Sequence, residues 1–141
     1  MADFFEVYDV ESEDFVTAGD ASRNIKRILK KIGLDANLIR RIAIASYESE
    51  MNMAIHSYGG TITFEIEDNK VLITCKDTGP GIEDIKRAMQ EGYSTASKSA
   101  RAIGFGAGMG LPNIRNNADD MNLESSKKGT TLKVAFNIDE I

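Results

Sequence analysis

The chain has 141 residues, the size of one domain and long enough to bury an apolar core. Its 42% hydrophobic and 28% charged residues are those of an ordinary soluble protein, and its net charge of −5 excludes the basic surface that nucleic-acid binding needs. No run approaches the ~18 apolar residues of a membrane-spanning helix, the acidic Met1–Val10 segment does not read as a signal peptide, and the lone Cys75 cannot make an internal disulfide, so a cytoplasmic protein is expected.

In chain order, Phe4–Val10 has strand character. From Phe15 onward, Ala18, Ala21, Ile25, Ile28, Leu29 and Ile32 recur at helical spacing after a start at Ser12-Glu13-Asp14, and Gly33 supplies a stop. Asp35 can cap a second helix with Leu38, Ile39, Ile42, Ala45 and Ala54 among its apolar positions, ended by Gly59-Gly60. The pairs Lys30-Lys31 and Arg40-Arg41 read as solvated helix faces. Thr61–Glu67 and Lys70–Lys76 form a hairpin across Asp68-Asn69. Ile82–Met89 reads as a short helix, and Gly92–Gly108, rich in small and hydroxyl residues, as a mobile loop. A third main helix opens at Gly110-Leu-Pro112, and Leu123–Ser126 and Thr130–Ile138 close the chain as a second hairpin around Lys127-Lys128-Gly129. With no repeat or linker, residues 1–141 are expected to form one α+β domain, a sheet of about five strands with helices on one face.

Three segments carry the chemistry: Glu48-Ser-Glu-Met-Asn52, Asp77-Thr-Gly-Pro-Gly81 and Gly104-Phe-Gly-Ala-Gly-Met-Gly110. Residues four apart on a helix lie about 40° apart around its axis and about 6 Å along it, so Glu48 and Asn52 can share a site, whereas Glu50 points about 160° away from Glu48. Asn52 offers the neutral hard oxygen that suits Mg²⁺, and Glu48 can take a proton from a hydroxyl nucleophile. Asp77 ends an apolar strand, where a carboxylate can accept a hydrogen bond from an exocyclic amine, as adenine carries and guanine does not present at that position. Gly79 and Gly81 let the backbone pass close under a base. Gly106, Gly108 and Gly110 run into a helix start, where backbone amides can hold phosphate oxygens. The segment matches neither the Walker loop nor the dinucleotide fingerprint. A competing reading of Asp77-Thr-Gly79 is an aspartic protease half-site, which a chain with one such triplet would complete only as a dimer.

The order and spacing of these segments resemble the GHKL ATP-binding family of gyrase B, Hsp90, histidine kinases and MutL. Glu48-x-x-x-Asn52 is similar to its N-box, Asp77-x-Gly79-x-Gly81 to its first glycine box, Gly106-x-Gly108-x-Gly110 to its second, and Gly129-Thr130-Thr131 to its closing Gly-Thr motif. The resemblance covers roughly Phe15–Ile138, so no dimerisation, transducer or phospho-acceptor domain is expected within these residues. It extends to the anti-sigma factor and switch-protein serine kinases, the switch-kinase branch above all, through Gly79-Pro-Gly-Ile-Glu-Asp-Ile-Lys-Arg, Gly92-Tyr-Ser-Thr and Gly108-Met-Gly-Leu-Pro.

That resemblance implies a two-layer α/β sandwich, the Bergerat fold, with a mixed sheet and helices on one face. It implies ATP and Mg²⁺ as cofactors and transfer of the γ-phosphate to a serine or threonine of a partner, a small STAS-domain antagonist. A sigma factor or a phosphatase is a second class of partner, and relatives form homodimers through a sheet edge or the N-terminal region. By matching position, Glu48 is the general base, Asn52 the Mg²⁺ ligand and Asp77 the adenine anchor. Gly79 and Gly81 shape the base pocket, Gly106, Gly108 and Gly110 cradle the phosphates, and Thr130 supports the adenine side. His56, where relatives often carry histidine, reads as a helix-end residue without catalytic duty. Some of these kinases place an arginine just before the second Gly-x-Gly, where this chain has Gly106 and Ala107. The alternative function is therefore an ATP-dependent binding switch without phosphoryl transfer.

Overall fold

The computed structural model describes residues 4–11, 18–79 and 110–138. Two α-helices follow the first strand β1 (Phe4–Val10): α1 (Asp20–Ile32) and α2 (Ala36–His56). The hairpin of β2 (Gly60–Glu67) and β3 (Lys70–Asp77) comes next, and α3 (Gly110–Asn117), β4 (Asp120–Ser126) and β5 (Gly129–Asn137) complete the described elements.

The strands form one open sheet in the order β1-β2-β3-β5-β4. Each pairing among them is antiparallel, where a mixed sheet was expected. Two of the pairings are hairpins, which force opposite strand directions. In the first, Asp68 and Asn69 both take positive φ (51° and 59°), the backbone of a two-residue type I′ turn. Alternation along the strands is one-sided: Ile62 and Phe64, Val71, Ile73 and Cys75, and Leu132, Val134 and Phe136 are all buried. These residues join Ile25, Leu29, Ile42 and Ile114 in one core, so the three described helices lie on a single face of the sheet, and the fold is a two-layer α+β sandwich.

Asp35 caps α2 as expected, its carboxylate accepting from Leu38 N–H at 3.2 Å. Other boundaries moved. Helix α1 begins at Asp20, because Gly19 sits at φ +102°, outside helical space, with Ala18 in a turn; Phe15 lies outside the described residues. Helix α2 stops at His56, four residues before Gly60, because Ser57 takes an extended backbone (φ −118°, ψ 178°) while its hydroxyl donates to Met53 O. Gly60, expected as a breaker, is the first residue of β2. Strand β4 starts at Asp120, three residues earlier than its apolar content suggested, since Asp120, Met121 and Asn122 pair with Ala135, Val134 and Lys133. The expected helix Ile82–Met89 and the loop Gly92–Gly108 lie outside the described residues.

Arg41 is also not on a solvated face. Its guanidinium donates to Asn117 O (2.9 Å) and Asp119 Oδ1 (2.8 Å) and lies 6.0 Å from the centre of the Phe136 ring. It thereby ties the C-terminal end of α3 to α2 and β5. Asp119 Oδ2 accepts in turn from Asn137 N–H (2.7 Å), and this bond and Arg41 hold the Asp119 carboxyl below its usual pKa.

Candidate functional site

Helix α2 packs between α1 and α3 over the sheet, and small side chains make that close approach possible. Ala45 and Ala54 are fully buried, as is Ser46, whose hydroxyl returns to Ile42 O (2.8 Å). Ser49, one per cent exposed, satisfies its hydroxyl on Ala45 O (2.7 Å). The side of α2 that meets α3 carries Glu48 and Asn52. Their partners on α3 are one turn apart as well. Asn113 Nδ2 donates to Glu48 Oε1 at 3.4 Å, and a Cβ added to Gly110 would stand 2.8 Å from Asn52 Oδ1 and 3.0 Å from its Nδ2. Gly110 is thus the position at which the last glycine of the third segment admits the Asn52 carboxamide, a space that any side chain would fill.

The second part of the site lies at the end of β3. Asp77 is the last residue of that strand, and its Oδ1 accepts from the backbone N–H of Thr130 at the start of β5 (2.9 Å). Burial raises the Asp77 pKa above the ordinary carboxylate value, and the Thr130 amide pulls against that rise. Among the described residues no other donor reaches this carboxylate. Two glycines hold the Asp77 backbone in place. A Cβ on Gly60 would lie 2.1 Å from Lys76 O, and one on Gly129 (φ +149°) would lie 2.1 Å from Asp77 O, so only glycine fits at either side. The chain leaving β3 is zipped to the chain leaving α2 by Tyr58 N–H to Thr78 O (2.8 Å) and Thr78 N–H to Gly59 O (3.1 Å). Gly79 is buried there, its missing Cβ 3.2 Å from Ser57 Cα.

The structure therefore places Asn52 with Gly110 and Asp77 with Thr130 and describes Glu48 and Gly79 beside them. Gly81, Gly106 and Gly108 lie outside the described residues. Thr130 contributes its main chain to Asp77, while its side chain shares a hydrogen bond with Ser125 Oγ (2.8 Å). Burial lowers the pKa of His56. Below the site, burial pushes the Cys75 thiol up to about 12, which makes it unreactive near neutrality. Among the described residues no cluster of three or more His, Cys, Asp or Glu could hold a metal ion on its own. The donor set fits Mg²⁺ all the same, because that ion takes few protein oxygens and completes its shell with phosphates and water.

Two residues of consequence escaped the sequence reading. Asn113 had no signal, being one polar residue in a short polar helix. Glu50 was placed on the far side of α2 from Glu48, and it is there, 3% exposed and with a role that the sequence reading did not assign. Its two oxygens accept from Ala21 N–H (3.2 Å) and Ser22 N–H (3.0 Å) at the start of α1.

This geometry agrees with what the chain is similar to. The family model described as the histidine kinase-like ATPase domain matches residues 13–136. The serine/threonine-protein kinase RsbT of Bacillus subtilis is 30% identical over 125 residues, 85% of this chain and 86% of that protein. The anti-sigma F factor of Caldanaerobacter subterraneus subsp. tengcongensis is 36% identical over 102 residues, 68% of each chain. Among solved structures, the RsbU and RsbW domains of a Mycobacterium tuberculosis protein superpose with a TM-score of 0.62 at 17% identity, covering 96% of this chain and 33% of that one, which bears on the fold alone. An aspartic protease half-site has no place in such a match. With the Glu48/Asn52 face of α2 set against the start of α3 and Asp77 anchored at the end of β3, the chain belongs to the histidine kinase-like ATPase domain family.

Proposed function

We propose that this chain is a single-domain, Mg-ATP-dependent protein serine/threonine kinase that also controls a partner by binding it. The observation that carries the reading is the pairing of Glu48 and Asn52 against Asn113 and Gly110, which puts a carboxylate and a neutral oxygen ligand beside the end of the glycine segment. The names of the kinase RsbT and of the anti-sigma F factors support it.

Asp77 Oδ2 accepts the adenine amine, with Oδ1 held by Thr130, and Gly79 and Gly81 let the base lie close to the backbone. Gly106, Gly108 and Gly110 present main-chain amides to the phosphates. Asn52 Oδ1 is the protein ligand for Mg²⁺, which when bound offsets the phosphate charge. Glu48 accepts the proton of the incoming serine or threonine hydroxyl as its oxygen bonds to the γ-phosphorus; the bond to the β-phosphate oxygen breaks and ADP leaves. The acceptor we favour is a small STAS-domain protein, with a sigma factor or phosphatase as a bound partner. A cytoplasmic location suits a protein that draws on ATP, and none of the described helices is long and apolar enough to cross a membrane.

The test incubates the protein with radiolabelled Mg-ATP and purified STAS-domain proteins. Glu48→Gln should slow transfer by about 10²–10⁴-fold, the usual contribution of a positioned general base, with ATP affinity retained. Transfer unchanged by Glu48→Gln removes the base assignment. ATP-dependent partner binding with no transfer at all would select the binding switch instead.

A further inference from the structure

We infer that Asn113 is a positioning residue for Glu48: its side-chain amide holds one carboxylate oxygen and thereby turns the other toward the acceptor hydroxyl. The inference rests on the proposed role of Glu48 and adds a group that no motif marks.

Asn113 Nδ2 lies 3.4 Å from Glu48 Oε1, and both side chains are half-buried between α2 and α3. No other donor reaches Glu48 among the described residues. On α3 the sole charged side chain is Arg115, which is exposed. The remaining charged or titratable groups of α2 are engaged or turned elsewhere: Arg41 is held by Asp119, Glu50 faces α1, the exposed Tyr47 ring lies toward Gly19 before α1, Arg40 is exposed two turns away, and His56 lies two turns beyond. Asn113 is therefore the polar group that α3 offers to this carboxylate. A hydrogen bond to a carboxylate both fixes its orientation and occupies a lone pair, which leaves Oε2 as the basic atom.

The backbone supports the same arrangement. Asn113 O accepts from Asn117 Nδ2 (2.8 Å), and Asn117 O is held by Arg41, so the helix that presents Asn113 is anchored at its far end to the helix that carries Glu48. Gly110, one turn before Asn113, abuts Asn52, one turn after Glu48.

Two measurements test this. In the ¹⁵N-labelled chain, the Asn113 side-chain NH₂ resonances should follow the protonation of Glu48 on acid titration, and Glu48→Gln should abolish that inflection. Resonances that stay flat while the Glu48 carboxyl titrates overturn the inference, whatever the kinase activity. In the transfer assay, Asn113→Ala should slow phosphoryl transfer about 10-fold, the equivalent of one hydrogen bond to a charged group, with ATP affinity changed less than about 2-fold. Asn113→Asp, of the same shape, should move the acid limb of the pH–rate profile to higher pH by setting a like charge beside Glu48. Because alanine is the better helix former, a fall in melting temperature would not be expected to accompany the rate loss. If Glu48→Gln abolishes transfer while Asn113→Ala and Asn113→Asp match the wild type in rate and profile, the inference is overturned and the base reading stands. If Glu48→Gln has no effect, the base reading falls independently of the contact.

Discussion

Asp77→Asn separates recognition from folding. In the wild type, Oδ1 accepts the Thr130 amide at 2.9 Å, and the close backbones of Gly60 and Gly129 keep the residue from shifting. Asparagine has one acceptor oxygen, and the Thr130 N–H claims it. Its NH₂ then faces the pocket, donor against the donor of the adenine amine. Losing a hydrogen bond to a charged acceptor and opposing two donors should cost about 2–4 kcal/mol, or ~30–1000-fold in ATP affinity. Guanine offers an oxygen acceptor where adenine has its amine, so the variant should gain GTP binding while losing ATP. Stability should move the other way. Burial raises the Asp77 pKa, so the folded protein is penalised for the charge at any pH above that value and relieved of it as the pH falls through the window above 3.8. The variant, which carries no charge, should match or exceed the wild type in urea at neutral pH, and the difference should shrink on acidification. Calorimetric titration with Mg-ATP and Mg-GTP, together with urea melts at both pH values, reads all of these. A folded Asp77→Asn protein with unaltered ATP affinity would refute the assignment of the adenine pocket.

The other perturbations act on α3. Gly110→Ala adds a Cβ at 2.8 Å from Asn52 Oδ1, which forces the carboxamide aside; Mg-ATP affinity should drop roughly 10-fold while the Mg²⁺-free affinity changes less, as titration with and without EDTA would show. Equal losses in both conditions would mean that Asn52 is not the metal ligand. Arg41→Ala leaves Asn117 O and Asp119 Oδ1 without their guanidinium donor, Asp119 Oδ2 keeping Asn137 N–H, and should lower stability by about 1–2 kcal/mol, seen as an earlier urea midpoint. Arg41→Lys should restore part of that loss, since an ammonium cannot span both acceptors as the guanidinium fork does.

Much of this fold was legible because its signals are local. Apolar alternation marked β2, β3 and β5, two consecutive residues tolerant of positive φ marked the first hairpin, and Asp35 marked the start of α2. The N-terminal end of α1 was misplaced because apolar spacing carries on through Ala18, while the chain breaks at Gly19 for a reason no periodicity records. The first residues of β4 were missed because Asp120 and Asn122 disfavour strands and are held there by β5. For the candidate site, Glu48 and Asn52 could be paired from helical geometry alone. Arg41 and Asn113 could not be found in that way, because the partners of each lie more than sixty residues away in sequence, and such contacts exist only once α3 is laid on α2.

Glu48 and Glu50 are two residues apart and meet opposite fates, which explains how α2 is oriented. Gly19 has no side chain with which to cap α1, so the first amides of that helix find their acceptor in Glu50 across the interface. Burying a carboxylate is costly, and the partial positive charge of a helix N-terminus with two direct N–H donors offsets the cost only in one geometry. That requirement fixes the rotation of α2 about its own axis against α1. Since Glu48 projects about 160° from Glu50 around the same helix, the rotation that seats Glu50 on α1 is also the one that turns Glu48 and Asn52 toward α3. A buried charge that belongs to no part of the proposed reaction thus sets the direction in which the proposed base points.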